Sequence, residues 1–141
     1  MFAKQLTVFV ENRPGRLCDV LNVLKDNEVN ILSLSLADTT EFGLLRLIVD
    51  KPAKGREKLS ANGFSSLISE VSIIKITHTA GSLQQLLRII DENGVNIEYM
   101  YGLSIQGDEA FVVLKASDVV KLDEILAKNN VETVDITVLT E

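Results

Sequence analysis

The sequence is written twice. Setting Gly15 over Gly81, an offset of 66 (81 − 15), brings two helix-patterned segments into register. Between residues 15–31 and 81–97, seven of 17 positions are identical: the glycine, Leu17/Leu83, Leu21/Leu87, Asn27/Asn93 and the whole triplet Val-Asn-Ile. Self-similarity at a fixed period means that one supersecondary unit is built more than once, so any fold proposed for one copy must serve the other. Apolar residues fall at 17, 20, 21 and 24 in the first copy and at 83, 86, 87 and 90 in the second. That i, i+3, i+4, i+7 stripe predicts an amphipathic helix with one buried face.

The flanks switch to period two. Leu6, Val8 and Val10 share one face of a strand before the first helix, and Ile74 and Ile76 hold the matching places before the second. Val-Asn-Ile opens a further strand in each copy, over about 29–36 and 95–103, and polar turns lead to third strands near 43–49 and 109–115. Second helices are expected from Pro52, which suits a first helical turn, and after Ser117-Asp118, which has N-cap chemistry. Fourth strands near 64–70 and 132–139 complete the pattern. Each copy reads β-α-β-β-α-β, an α+β ferredoxin-like unit with antiparallel strands and both helices on one face. The expected domains are 1–70 and 71–141, and two units of this size are expected to pack together.

Composition removes most functional classes. The net charge is −6, aromatic residues are 5% and no basic run occurs, which argues against nucleic-acid or anionic-membrane partners. No apolar run is long enough to span a bilayer, so a soluble cytoplasmic protein is expected. One cysteine and one histidine, Cys18 and His78, do not make a zinc site, and no metal or cofactor is expected. Cys18 lies beside the apolar stripe and is expected as an inert thiol at the edge of the core. No catalytic constellation emerges, and the chain is expected not to be an enzyme.

One stretch remains, residues 11–17, Glu-Asn-Arg-Pro-Gly-Arg-Leu. Pro14 presets φ ahead of a helix, and Gly15 removes a β-carbon where another group approaches the backbone. The amides of Gly15, Arg16 and Leu17 belong to a first helical turn, lack intrahelical acceptors and carry partial positive charge. Such a helix start receives a carboxylate, and Asn12 offers both a donor and an acceptor to an amino group beside it. The alternative is that Asn12 and Gly15 make only a tight β-to-α turn, and that Asn30 and Asn96 of the two Val-Asn-Ile triplets only cap their turns.

This loop, followed by a helix and then Val-Asn-Ile, resembles the ACT domain, an amino-acid-sensing regulatory module. It is especially similar to the serine-binding regulatory domain of 3-phosphoglycerate dehydrogenase, most closely over residues 5–50. The resemblance implies a stand-alone tandem ACT protein, non-catalytic, that binds a free amino acid as an allosteric effector. It carries binding roles over to Asn12 and Asn30 in the first copy and to Asn96 in the second. The pattern departs at two places. Val10 stands where the dehydrogenase domain has a histidine, and the second loop reads His-Thr-Ala-Gly-Ser-Leu, with His78 in the place of Asn12.

ACT units of this family typically bind at a seam, with the loop of one unit and the second strand of another. The implied sites therefore join Asn12, Arg13, Pro14, Gly15, Arg16 and Leu17 with Asn96, Ile97, Glu98, Tyr99 and Met100. They also join His78, Gly81, Ser82 and Leu83 with Asn30 and Ile31. The first loop is expected to be the tighter site. Phe9, Leu32, Leu34, Leu36, Leu44 and Ile48 are expected on the face away from the helices, with Val29 and Ile31 inward. A face that apolar predicts a homodimer or a protein partner, such as a regulated enzyme or transporter. The second copy's equivalent, with Lys75 and Glu98, is expected to be wetter. The other readings are an interaction module with vestigial pockets and an acylphosphatase-type hydrolase.

Overall fold

The computed structural model describes residues 1–38 and 41–136. The elements run β1 (Ala3–Glu11), α1 (Arg16–Asp26), β2 (Ile31–Asp38), β3 (Phe42–Val49), α2 (Pro52–Ala61) and β4 (Ser66–Thr77). Then come α3 (Ser82–Glu92), β5 (Ile97–Gln106), β6 (Glu109–Ala116), α4 (Val119–Lys128) and β7 (Glu132–Thr133). The chain divides into two compact units, one of Lys4–Ser69 and one of Met1–Ala3 with the stretch from Glu70 onward.

In the first unit the strand order is β2-β3-β1-β4. Alternation along β1 sends Leu6, Val8 and Val10 to one face, where they meet Leu45, Leu47 and Val49 of β3. Val20 and Leu24 of α1, Leu59 of α2 and Phe64 close that core. The close seat of α2 depends on Gly55, where a β-carbon would stand 3.1 Å from Leu6 Cδ2. The second unit repeats the plan with the order β5-β6-β4-β7. Ile74, Leu114 and Ala116 pack under Leu86 and Ile90 of α3 and Leu122 and Leu126 of α4. Both helix starts expected from local chemistry are present. Pro52 opens α2, and the Asp118 side chain accepts from the Lys121 amide at 2.9 Å.

The structure departs from the expected elements at several points. A fourth strand over 64–70 and a separate one around Ile74 prove to be a single 12-residue strand, β4. Its sequence, Ser-Leu-Ile-Ser-Glu-Val-Ser-Ile-Ile-Lys-Ile-Thr, contains no glycine, proline or turn pair to stop it. The strand expected over 132–139 is β7 at 132–133, and residues 137–139 lie outside the described residues. Cys18 is exposed rather than at the core edge.

The face assignment needs correction. A β-bulge between Ile31 and Ser33 shifts the register, so that Leu34 pairs with Leu47 and Leu36 with Leu45. Paired residues share a face. Leu34 and Leu36 therefore lie on the helix side of edge strand β2, 52% and 51% exposed, and Ser33 and Ser35 take the opposite side. Phe9 does lie opposite the helices, edge-on to Phe42 at 5.9 Å, but Ile48 is fully buried rather than open. The second unit is not the wetter one along this side, because Ile73, Phe111 and Val113 are buried there. Among the described residues, no helix is long and apolar enough to cross a membrane.

Candidate functional site

β1 ends in a tight turn that delivers the chain to α1. The Arg13 amide donates to the Glu11 carbonyl at 2.9 Å, and the Asn12 amide donates to the Glu41 carbonyl at 3.5 Å. Gly15 is the N-cap of α1 at φ 88°, a left-handed conformation that favours glycine, and no side chain caps the helix. A β-carbon at Gly15 would meet nothing within 4 Å. The backbone conformation calls for glycine here, and no atom of the protein itself crowds the position.

The charged side chains of the loop form a short network. Glu11 holds Arg13 Nε at 2.9 Å and lies 4.0 Å from Arg16. Arg16 also reaches Asp19 at 3.3 Å, and its guanidinium carbon sits 4.4 Å from the centroid of the Phe64 ring. Arg16 thus turns to the helix and to Phe64, with its Nε buried and unpaired, whereas Arg13 and Glu11 are exposed. An open cleft of about 350 Å³ lies beside them, lined by Val10, Glu11, Asn12, Arg13, Leu17, Leu36 and Gly43. Pro14 is exposed in the turn and does not line it. Leu36 and Gly43 were not legible as site residues, because the bulge decides that Leu36 faces the helix side. Leu36 Cδ1 would lie 3.1 Å from a β-carbon at position 43, so Gly43 makes room for that side chain.

The two Val-Asn-Ile asparagines are used alike by the backbone. The Asn30 amide donates to Asp50 Oδ1 at 2.8 Å, and its carbonyl accepts from the Asp50 amide at 3.1 Å. Asn96 accepts at its carbonyl from the Ser117 amide at 3.0 Å and donates from Nδ2 to Ser117 Oγ at 3.1 Å. Each ties the start of one strand to the end of its neighbour. Ile31, Ile97 and Met100 are partly buried against their cores, Glu98 is exposed, and Tyr99 pairs with Lys115. In the first unit, Val10 pairs with Gly43 near the loop, whereas Ile31 pairs with Val49 at the other end of the sheet. A unit's own loop and asparagine therefore stand at opposite ends of the sheet, and one unit alone does not unite them.

The second loop keeps the shape and loses the chemistry. The His78 amide donates to the Asp108 carbonyl at 2.6 Å, the Thr79 amide to the Thr77 carbonyl at 2.9 Å, and Gly81 has φ 87°. Thr79 and Ser82 join their hydroxyls at 2.7 Å where the first loop carries Arg13 and Arg16. Leu83 is exposed. With Ser82 in the place of Arg16 and Val131 in the place of Phe64, the groove behind α3 stays open as a cleft of about 450 Å³. Along it Lys75 lies 2.9 Å from Glu109 and 3.1 Å from Glu132, and those hydrogen bonds raise its pKa above the ordinary 10.5.

Two helix starts without a side-chain cap thus recur at the same place in the two βαββαβ units. The family model that describes an ACT domain pair matches residues 1–141. The chain belongs to that family.

Its likeness to solved structures varies widely. Protein BT0572 from Bacteroides thetaiotaomicron is 36% identical over 95% of this chain and 92% of that one, with a TM-score of 0.90. The ligand-free regulatory subunit of aspartate kinase from Thermus thermophilus is 13% identical, covering 89% and 90% of the two chains, with a TM-score of 0.64. At that identity the likeness speaks for the fold alone. None of the curated protein sequences matches the chain.

Proposed function

We propose that this ACT pair is a non-catalytic sensor of a free amino acid, which it binds as a regulatory effector. The observation that carries this reading is the cleft at the start of α1. No side chain caps the first turn, and although the Arg16 amide donates to the Arg13 carbonyl at 3.4 Å, the turn's positive end still favours a carboxylate. Exposed Glu11 and Arg13 offer opposite charges a short distance apart, as a zwitterion requires.

The seam reading is also supported by physical argument. The cleft is open, and Leu36 in its wall is half exposed, so a ligand there stays partly wet unless a second ACT unit covers it. The opposite-ends placement of loop and asparagine within a unit points the same way. We place the effector at a seam, with the loop of one unit and the second strand of another. Exposed Leu34 on edge strand β2 supports a homodimer as well, along that edge and not over the open sheet face.

The test is a thermal melt of the full chain against each of the twenty amino acids. A ligand at 100 times its dissociation constant adds about 2.7 kcal/mol to stability, a readily measured rise in Tm. No rise with any amino acid at millimolar concentration overturns the sensor reading.

A further inference from the structure

We infer that each chain carries one effector site, in its first unit, and that the site selects amino acids with an aliphatic side chain. This rests on the amino-acid-sensing reading above and names its ligand class. The cleft divides into two parts by chemistry. Glu11, Asn12 and Arg13 form the charged side, with Arg13 Nε 2.9 Å from the Glu11 carboxylate. An amino acid's ammonium and carboxylate replace that mutual contact, one on each side chain, with Asn12 beside them.

Val10, Leu17 and Leu36 form the other side, together with Gly43. None of these three side chains has a donor or acceptor, so a ligand hydroxyl or amide placed against them loses water and gains no partner. An aliphatic side chain instead takes Leu36, 51% exposed, out of water. The wall exists because the bulge after Ile31 turns Leu36 to the helix side and Gly43 leaves its methyl groups room.

The second unit lacks the charged half and the Leu36 part of the apolar one. Thr77 and Thr79 stand where Glu11 and Arg13 stand, which removes the pair that reads a zwitterion. Pairing places Gly102 opposite Val112 as Leu36 lies opposite Leu45, so the wall keeps Ile76 and Leu83 in the places of Val10 and Leu17 but loses its leucine on the edge strand. That unit's clefts are one of about 450 Å³ behind α3 and a shallow one of about 750 Å³ along α3 from Gly81 and Leu83 to Asp91, and His78 lines neither. The two loops share their backbone turn, and only the first has chemistry built around it.

Calorimetry on the full chain tests this with L-valine against L-threonine, which differ by a methyl and a hydroxyl, and with L-leucine and L-serine. Expected are one molecule per chain and valine tighter than threonine by about 10- to 100-fold. Leu36→Ala should weaken L-leucine by roughly fivefold or more while the melt stays near wild type, because the side chain is half exposed. Threonine or serine binding as tightly as valine overturns the aliphatic class and leaves the sensor reading standing. Two molecules per chain, or an unchanged affinity in Leu36→Ala, overturns the placement. Binding by none of the twenty amino acids brings down both readings together.

Discussion

Gly15 and Gly81 form a matched pair, and replacing each by alanine separates turn geometry from ligand chemistry. Both are helix N-caps, at φ 88° and 87°, and a β-carbon at either meets nothing within 4 Å. No steric term enters, so the cost is the left-handed conformation alone, about 1–2 kcal/mol for an L-residue. With an unfolding entropy of about 2.1 cal/mol/K per residue, a chain of this length loses roughly 3–7 °C in Tm. The two variants should therefore lose about the same. Gly15→Asn and Gly81→Asn should lose less, because asparagine tolerates this region. Paired melts by circular dichroism measure it, repeated with saturating effector. The effector-induced rise should shrink in Gly15→Ala and persist in Gly81→Ala. A neutral Gly15→Ala would refute the turn geometry. A loss far beyond the conformational cost would mean that the open space around Gly15 is filled in solution.

Arg16→Ala should cost about 0.5–1 kcal/mol from the contact over Phe64, read by chemical denaturation. Arg16→Lys should not restore it, because an ammonium lacks the planar stack. Lys75, raised by its hydrogen bonds to Glu109 and then Glu132, contributes stability that is fully present below about 10.5 and lost as pH rises through its folded-state pKa. The Tm gap between wild type and Lys75→Met should close over that alkaline range, and a gap unchanged there would contradict the ion-pair role. Asn12→Ala should cost about 1.5–3 kcal/mol of effector binding, or roughly 10- to 150-fold in Kd by calorimetry. If the seam joins the first loop to the second unit's strand, Asn96→Ala weakens that same site and Asn30→Ala does not. Light scattering should report a dimer that Leu34→Asp dissociates, and a monomeric wild type would remove the β2-edge contact.

Most of the fold was legible in local chemistry. The repeat, the two apolar stripes, Pro52 and Asp118 located all four helices, because each signal acts within one or two turns. What escaped was set by pairing between distant segments. The bulge between Ile31 and Ser33 carries no glycine or proline to announce it, yet one residue of slip moves Leu34 and Leu36 across the sheet. The same slip hid Leu36 and Gly43 from the candidate site, whereas Asn12, Arg13 and Leu17 were found from the loop alone. β4 ran on through an expected break because nothing in its sequence ends a strand. Asn30 and Asn96 were recognised as positions of interest; Asn96 spends its side chain on Ser117 Oγ, whereas Asn30 meets Asp50 through its backbone alone, a tie that does not require asparagine.

The central claim is that the start of α1 and its cleft receive the effector. Amide chemical shifts of the nitrogen-15-labelled full chain, followed through a titration with the tightest amino acid from the melt screen, test it residue by residue. The claim predicts the largest saturable shifts at Glu11, Asn12, Arg13, Gly15, Leu17, Leu36 and Gly43, with the matching loop from His78 to Leu83 changing far less. Shifts centred instead on Thr77, Gln85 and Asn129 to Glu132, along the cleft behind α3, would contradict it.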